Sequence, residues 1–324
     1  METHRIFSDS PFGPNALSML EKGVAPHELI VPQTRVASVL GQPAPDPQFP
    51  LADIAFGQPD LESIRRSEQL KWIHISTAGF TRYDTPEFRA LVAERGLIVT
   101  NSSTVYAAAC ADHVFAFMLA QSRLIPQALS SQAANGSPEW TRLREGSVSL
   151  RGQSVVILGF GGIASELVKL LAPYEMNITA MRRNPRGDEG FSTVTTEDLP
   201  DALASADHVI NILPDNAASQ NFMNAGRFAQ MKAGSVFHNI GRGTTVVQDA
   251  LLDALRSGHL AAAWLDVTDP EPLPVDHPLR GEPKCFITPH IAGGHANESE
   301  TLVRHFLGNF NRYLVGEPLL DRIM

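Results

Sequence analysis

A short strand that runs directly into a glycine-rich turn and a helix constrains the fold of this chain more than any other feature. Residues 155–158 (Val-Val-Ile-Leu) lead into Gly159-Phe160-Gly161-Gly162-Ile163-Ala164, and the helix that follows has one apolar face, formed by Ile163, Leu167, Leu170 and Leu171. In this context the glycines allow a tight turn and a close approach of the backbone to a pyrophosphate, which the N–H groups at the helix start can bind. The segment therefore predicts dinucleotide binding; a glycine turn without a ligand is the alternative.

From residue 152 onward, short β-branched runs alternate with helical or turn-rich segments. The runs lie at 155–158, 178–181, 208–212, 235–240, 261–265 and 285–288. Strands that alternate with helices predict a parallel sheet covered on both faces, so we predict an α/β fold with a doubly wound sheet of the Rossmann type. Residues 105–124 are apolar nearly all round and predict a buried helix, whereas residues 126–147 are polar and predict an arm or connection.

The end of the second predicted strand distinguishes between the two nicotinamide cofactors. An NAD-binding fold places an acidic residue there, about 20 residues after the glycine turn, to bind the ribose hydroxyl. Here the strand ends in Arg182 and Arg183, with Arg186 close behind, and no carboxylate occupies the position. Guanidinium groups suit a 2′-phosphate through charge-assisted hydrogen bonds. The arginines therefore favour NADP over NAD; a pair of solvated surface arginines is the alternative.

Polar side chains follow each of the last three predicted strands. Arg242 follows the fourth strand, Asp266 and Glu271 follow the fifth, and His290 follows the sixth. We expect these strands to lie next to one another and beside the first, with ligands bound outside their carboxyl ends. Reduction of a 2-keto acid needs a cation for the substrate oxygens and a proton donor for the developing alkoxide, and a carboxylate beside an imidazole stabilises its protonated form. The set therefore predicts a hydride-transfer site.

Each of these residues has a structural alternative when it is taken singly. His290 follows a proline and could be a buried, hydrogen-bonded histidine, and Glu271 lies among four prolines and could belong to a surface turn. Other histidines lie nearby in the sequence, namely His208, His238, His259 and His277. They rank lower as catalytic candidates because most lie at the start of a predicted strand, inside one, or at a helix exit.

Composition limits the class of protein and its partners. A chain of 324 residues is long enough for two domains, and 43% hydrophobic with 19% charged residues is typical of a soluble globular protein. The net charge of -9 argues against nucleic acid or an anionic membrane as the main partner. Cys110 and Cys285 stand in no disulfide or metal-binding spacing, and no apolar run reaches membrane-spanning length, so we predict a cytoplasmic protein without a metal site.

Five segments together resemble the D-isomer-specific 2-hydroxyacid dehydrogenases. The resemblance covers nearly the whole chain and is densest from 155 to 294. It rests on residues 159–164, Leu213-Pro214, residues 239–243 (Asn-Ile-Gly-Arg-Gly), residues 265–274 with Asp266 and Glu271, and residues 288–293 (Thr-Pro-His-Ile-Ala-Gly). The activity that the resemblance implies is hydride transfer between NAD(P)H and C2 of a small 2-keto/2-hydroxy acid.

The resemblance also implies a role for each site residue. Arg242 would grip the substrate, His290 would be the acid/base and Glu271 would support it. The backbone N–H groups of Ala78 and Gly79 would hold the substrate carboxylate. The cofactor-binding residues would be Asp266, at the nicotinamide carboxamide, and, around the rest of the dinucleotide, Gly159, Gly161, Gly162, Ile163, Arg182, Arg183, Leu213 and Pro214.

The same resemblance implies the domain organisation. A flavodoxin-like substrate domain would be built from residues 1–104 and 293–324, with the dinucleotide-binding domain, residues 105–292, inserted between them. The helix 105–124 and the arm 126–147 would lie in a homodimer interface. Arg182 stands where the family usually has an aspartate, as in the NADP-preferring glyoxylate/hydroxypyruvate reductase group.

Two other functions remain open from the sequence. A non-catalytic, dinucleotide-sensing regulator on the same fold, like the C-terminal binding corepressors, would retain the arginine, the glutamate and the histidine; the lack of long disordered tails disfavours it. An oxidoreductase acting on another oxyanion, such as phosphite, is the second. Formate dehydrogenases of the same superfamily carry glutamine where Glu271 stands, which disfavours that activity.

Overall fold

The computed structural model describes residues 3–32, 45–185 and 187–324, so Arg186 lies outside the described residues. The strands within these ranges are β1 Arg5–Ser8, β2 Glu28–Ile30, β3 Ile54–Gly57, β4 Trp72–Ile75, β5 Ile98–Thr100, β6 Ser154–Leu158, β7 Asn177–Met181, β8 Ser192–Val194, β9 His208–Asn211, β10 Val236–Asn239, β11 Ala262–Leu265 and β12 Cys285–Ile287. Each of the six predicted strands is present, and its bounds shift by one residue at most at either end.

The helices alternate with the strands along most of the chain. They are α1 Pro14–Val24, α2 Leu61–Arg66, α3 Pro86–Arg95, α4 Ser103–Ser122, α5 Ile125–Ser131, α6 Pro138–Gly146, α7 Gly162–Leu171, α8 Leu199–Ser205, α9 Ala225–Gln230, α10 Gln248–Arg256 and α11 Glu298–Leu314. The predicted helix at 105–124 is α4, and the polar segment 126–147 folds mainly as the short helices α5 and α6.

The chain divides into two compact units, Met1–Tyr106 with Gly294–Met324, and Ala107–Gly293. In the first unit the strands form a parallel sheet in the order β2-β1-β3-β4-β5, which is the order of the flavodoxin fold. The C-terminal helix α11 packs on this sheet through Phe306, whose ring stacks on Phe56 with the centroids 4.3 Å apart and lies 5.3 Å from Trp72. These buried aromatic contacts explain why the end of the chain belongs to the same unit as its beginning.

The second unit contains a seven-stranded parallel sheet in the order β12-β11-β10-β9-β6-β7-β8. The central strands β9, β10 and β11 are buried throughout, as expected for a sheet covered by helices on both faces. The α/β fold with a doubly wound sheet is therefore confirmed. One detail of the prediction is wrong: β10, β11 and β12 are neighbours, but β9 separates them from β6, because β9 pairs with both β6 and β10.

Helix α4 is only partly buried within the chain. Val114 and Met118 are fully buried, but Ala108, Asp112 and Ala116 are exposed, so the predicted burial on nearly all sides is wrong for a single chain. Among the described helices, α4 is long and apolar enough by length and composition alone to cross a membrane, contrary to the prediction that no apolar run reaches that length. Inside the protein 39% of this segment is buried, and a single helix that passes this test is weak evidence for a membrane span.

A pair of buried histidines lies in the core of the second sheet. His208 Nδ1 is 3.1 Å from His238 Nε2, and His208 Nε2 is 2.9 Å from the Gln153 side-chain oxygen. The Gln153 oxygen can only accept, so His208 carries its proton on Nε2 and accepts at Nδ1 from His238. A second proton on His208 would place two N–H groups against each other unless His238 moved its own proton to Nδ1, which has no hydrogen-bond partner among the described residues. Burial also lowers the pKa of His208 to about 4 and the pKa of His238 well below its ordinary value.

We therefore expect acid to destabilise the second unit. In the unfolded chain these imidazoles take up protons below about pH 6.5, whereas the folded chain resists uptake until about pH 4, so the stability is fully present above pH 6.5 and falls between these values. Each histidine adds up to about 1.4 kcal/mol per pH unit to this slope. Urea unfolding of His208→Gln between pH 7 and pH 4.5 should show a shallower slope, and the exposed His295→Gln should keep the parent slope. Equal slopes in all three proteins would contradict the expectation.

Candidate active site

The glycine turn after β6 needs glycine at residue 159 for its backbone conformation and leaves open space at residue 161. Gly159 has a φ of +94°, and a Cβ there would lie 3.4 Å from a Leu213 methyl group and 3.5 Å from the Ile212 carbonyl oxygen. A Cβ on Gly161 would meet nothing within 4 Å, so the absence of a side chain there keeps open the space in front of the start of α7. Helix α7 begins at Gly162 without a side-chain cap, which leaves its N–H groups for an anion.

A cavity of about 420 Å³ lies beside this turn. Its walls are Gly159, Phe160, Met181, Arg182, Arg183, Asn184, Thr196, Leu213, Pro214, Asn216, Ala218, Ser219 and Phe222. The volume is in the range of small-molecule sites, and apolar walls for an adenine ring stand beside cations for a phosphate. Five predicted cofactor residues thus meet in one cavity, whose size and donor set fit the adenosine part of a dinucleotide.

The two arginines at the end of β7 differ in their surroundings. Arg182 Nη1 lies 2.8 Å from Glu189 Oε1, and its guanidinium carbon lies 5.9 Å from the centre of the Phe160 ring. The Arg183 side chain lines the same cavity and is exposed. Glu189 is not among the predicted site residues, because it lies in a glycine-containing turn seven residues beyond Arg182 and nothing in its spacing distinguishes it from other acidic turn residues.

An imidazole–carboxylate pair lies at the carboxyl edge of the second sheet. His290 Nδ1 and Glu271 Oε1 form a hydrogen bond, and the two side chains are 28% and 37% exposed. The backbone of His290 has a φ of +53°, an uncommon conformation for a residue with a side chain, and its N–H donates to the Asp266 carbonyl oxygen at 2.9 Å. With Nδ1 bonded to the carboxylate, the ring offers Nε2 to a ligand.

Asp266 holds the loop that carries this histidine. Its Oδ1 accepts from the Thr288 hydroxyl at 2.6 Å and from the Ile291 N–H at 2.9 Å, and its Oδ2 accepts from the Ala292 N–H at 2.9 Å. The side chain is only 1% exposed, and His113 of α4 lies 3.7 Å away. A carboxylate accepts up to about four hydrogen bonds, so Asp266 has room for one more donor. The contact with a nicotinamide carboxamide stays a prediction. These hydrogen bonds to the loop after β12 are not among the predictions, because no local sequence pattern encodes them.

Arg242 lies on a turn that packs against the segment after β11. A Cβ on Gly243 would come within 2.0 Å of the Thr268 carbonyl oxygen, so only glycine fits beside Arg242 at this approach. The Arg242 carbonyl accepts from the Thr245 hydroxyl at 2.6 Å, which fixes the turn, while the half-buried side chain donates to the Gly241 carbonyl at 2.6 Å. The Thr268 N–H in turn lies 3.4 Å from Glu271 Oε2.

The thiol of Cys110, on α4, lies within the electrostatic influence of both Arg242 and Asp266. Burial, together with the Asp266 carboxylate, raises the pKa of the Cys110 thiol to about 12, and the Arg242 guanidinium opposes that rise. A cation, two carboxylates and an imidazole from the three neighbouring strand ends thus occupy one edge of this sheet. That arrangement can bind an anion, deliver a proton and hold the proton donor in one orientation.

Ala78 and Gly79 lie on the turn after β4, in the first unit. The Asn101 amide donates to the Ala78 carbonyl at 2.7 Å, and the Thr77 hydroxyl donates to the Gly79 carbonyl at 2.7 Å. Within the described ranges the N–H groups of Ala78 and Gly79 have no hydrogen-bond acceptor. Anchored carbonyls with unused N–H groups are what an anion-binding loop requires.

Comparison with known proteins identifies the family. A family model of the NAD binding domain of D-isomer specific 2-hydroxyacid dehydrogenase matches residues 115–292. The chain is 31% identical to human glyoxylate reductase/hydroxypyruvate reductase over 230 residues, which are 70% of each protein.

Solved structures give the same result. A D-isomer specific 2-hydroxyacid dehydrogenase from Xanthobacter autotrophicus, in complex with NADPH and MES, is 27% identical with a TM-score of 0.78 over 100% of this chain and 98% of that one. NADPH-dependent glyoxylate/hydroxypyruvate reductase from Sinorhizobium meliloti, in complex with NADP and malonate, is 25% identical with a TM-score of 0.74 over 99% and 97%. The predicted family is thereby confirmed, and the chain belongs to the D-isomer specific 2-hydroxyacid dehydrogenases, which are NAD(P)-dependent oxidoreductases.

Proposed function

We propose that the protein reduces a short 2-keto acid of the glyoxylate or hydroxypyruvate type and uses NADPH in preference to NADH. The observation that carries the proposal is the His290–Glu271 pair at the same sheet edge as the Arg242 turn. The names of the human and Sinorhizobium relatives support the substrate class, and the arginines at the end of β7 support the cofactor preference.

We assign each step of the reaction to a residue of the chain. Arg242 pairs with the substrate carboxylate and polarises the carbonyl oxygen through charge-assisted hydrogen bonds. The bound nicotinamide supplies the hydride to C2. His290, protonated on both ring nitrogens, gives the Nε2 proton to the developing alkoxide. The Glu271 carboxylate accepts the hydrogen bond from Nδ1–H and stabilises the charged ring. The reverse direction uses the neutral ring as the base.

Further residues complete the proposed site. The unused N–H groups of Ala78 and Gly79 would bind the substrate carboxylate, and Asp266 would add the nicotinamide carboxamide to its present partners. Residues 1–104 with 293–324 would form the substrate domain, and residues 105–292 the dinucleotide-binding domain. These assignments rest on the family resemblance together with the local geometry of each loop.

The activity is tested with a substrate panel. NADPH and NADH are each mixed with glyoxylate, hydroxypyruvate, pyruvate and a bulkier 2-keto acid, and loss of the reduced-nicotinamide absorbance is followed; NADP with phosphite is run in parallel. The proposal expects fast turnover of the two short acids with NADPH. Tight cofactor binding without turnover of any acid would instead favour a dinucleotide sensor, and reduction of NADP by phosphite would favour another oxyanion substrate.

Replacing Arg182 by aspartate should shift the cofactor preference from NADP toward NAD. Loss of a charge-assisted hydrogen bond and introduction of a like charge should lower the NADPH-to-NADH ratio of kcat/KM by about 10–100-fold. Arg151→Asp, an exposed charge reversal just before β6, serves as the control and should leave the ratio unchanged. A parent enzyme that already prefers NADH would contradict the assignment of the arginines.

We also propose that the protein is a cytoplasmic homodimer. Both cysteines are free thiols, which suits a reducing compartment. Leu129 on α5 is 77% exposed and Ile125 is 43% exposed, so this helix offers apolar surface that a second copy would cover. Sedimentation equilibrium of the parent and of Leu129→Glu tests the dimer: the parent should sediment at twice the chain mass and the variant should weaken the association.

A further inference from the structure

We propose that Glu189 sets the cofactor preference by competing with the 2′-phosphate of NADP for the guanidinium of Arg182. This inference rests on the proposed use of the arginines after β7 as 2′-phosphate ligands. Glu189 would not touch the cofactor in the favoured arrangement; it would act through Arg182 and is therefore a positioning residue. No feature of the family resemblance assigns a role to this position.

The first observation is that the Glu189 carboxylate is held in place independently of any ligand. Its Oε2 accepts from the Gly187 N–H at 2.7 Å, while its Oε1 pairs with Arg182. Its side chain is only 5% exposed, compared with 18% for Arg182. The carboxylate is thus anchored by the backbone of its own turn and is weakly screened by solvent, so its charge acts strongly on its immediate neighbours.

The second observation is the position of the pair relative to the cavity. Arg182 lines the cavity beside the glycine turn, next to Phe160 and Arg183. A phosphate that binds there has to compete with the Glu189 carboxylate for the Arg182 guanidinium, so Arg182 contributes less to phosphate binding than an unpaired arginine would. A cofactor with a ribose hydroxyl in place of the phosphate does not need this guanidinium. The carboxylate therefore lowers the affinity for NADP and leaves the affinity for NAD nearly unchanged.

Arg183 offers a second cation to the phosphate, without the competition that Glu189 imposes on Arg182. It is exposed, lines the same cavity, and has no carboxylate partner in the described part of the chain. We assign it as the primary ligand of the 2′-phosphate, with Arg182 as a second ligand that is partly neutralised. The protein would then accept NADP while retaining measurable use of NAD, and Glu189 would set the ratio between them.

Binding of two small probes separates the 2′-phosphate from the rest of the cofactor. Adenosine 2′,5′-bisphosphate carries the 2′-phosphate and 5′-AMP lacks it, and calorimetric titration of each gives a Kd without any catalytic step. In Glu189→Gln the amide keeps the size of the side chain and an oxygen for the Gly187 N–H. We expect this variant to bind the bisphosphate about 5- to 30-fold more tightly and to bind 5′-AMP within about twofold of the parent.

A matched control removes the same charge from the neighbouring residue. Asp188 is exposed and lies next to Glu189 in the same turn. Because solvent and salt screen an exposed carboxylate, Asp188→Asn should change bisphosphate binding by less than about twofold. A double-mutant cycle tests whether Glu189 acts through Arg182. In an Arg182→Gln background, Glu189→Gln should no longer tighten bisphosphate binding.

The outcomes separate this inference from the proposed cofactor preference. Weaker or unchanged bisphosphate binding in Glu189→Gln, equal tightening of both probes, or a gain that persists without Arg182 would overturn the role of Glu189. If Arg182→Gln and Arg183→Gln both leave bisphosphate binding unaltered, the arginines are not 2′-phosphate ligands, and the proposed preference for NADP fails together with the inference.

Discussion

His290→Ala is expected to lower kcat for 2-keto acid reduction by about 10²–10⁴-fold, which is the usual cost of losing a general acid. The imidazole is the group whose Nδ1 is bonded to Glu271 and whose Nε2 is left for the substrate. Alanine removes the proton donor but leaves the cofactor cavity intact, because that cavity is lined by other residues. Steady-state kinetics at saturating NADPH measures the loss, and fluorescence titration should give an unchanged Kd for NADPH.

The control for this substitution is a histidine that lies close in sequence but outside the proposed site. His295 is exposed, and His295→Ala should retain the parental kcat. A His290→Ala enzyme with near-normal turnover would remove the general-acid assignment, whatever its effect on stability. A loss that is accompanied by much weaker NADPH binding would indicate a disturbed fold instead of a lost proton donor.

Arg242→Gln is the second substitution with a large expected effect. Removal of one partner of a hydrogen-bonded charge pair costs about 2–5 kcal/mol, so kcat/KM for glyoxylate should fall by about 30- to 5,000-fold. Arg242→Lys should recover only part of this loss, because an ammonium group lacks the planar pair of donors that matches a carboxylate. The turn itself should survive both changes, since the Arg242 backbone carbonyl is held by Thr245 and Asn239.

The kcat/KM of the two Arg242 variants is compared with that of a distant arginine variant. Arg256, at the end of α10, is 58% exposed, and Arg256→Gln should behave like the parent protein. Unchanged kcat/KM with glyoxylate in Arg242→Gln would exclude Arg242 as the substrate ligand. Equal losses with NADPH and NADH are expected, because Arg242 is not part of the adenosine cavity.

The sequence alone predicts the second unit well because its signals are local. A buried parallel strand is a short β-branched run, and the glycine turn between β6 and α7 is defined within ten residues. The polar residues that follow β10, β11 and β12 are also local features, so their place at one sheet edge follows once the strands are known to be parallel. The first unit was expected mainly from the family resemblance.

The errors and omissions have non-local causes. The place of β9 between β6 and β10 is decided by strand pairing across about 50 residues of chain, which no local pattern reports. The bonds from Asp266 to the loop after β12, and the Arg182–Glu189 ion pair, join residues through turns whose conformation periodicity does not encode. The exposed side of α4 carries Ala108 and Ala116, which count as apolar and therefore suggest burial, although Asp112 on the same side is charged.

The most direct test of the central claim follows a single isotope. NADPH deuterated at either face of C4 is incubated with the protein and glyoxylate, and the glycolate formed is analysed by mass spectrometry. Direct hydride transfer predicts that one of the two cofactors delivers one deuterium to C2 of the product and that the other delivers none. Product without deuterium from both cofactors, or no product from any 2-keto acid despite saturated NADPH binding, would contradict the account.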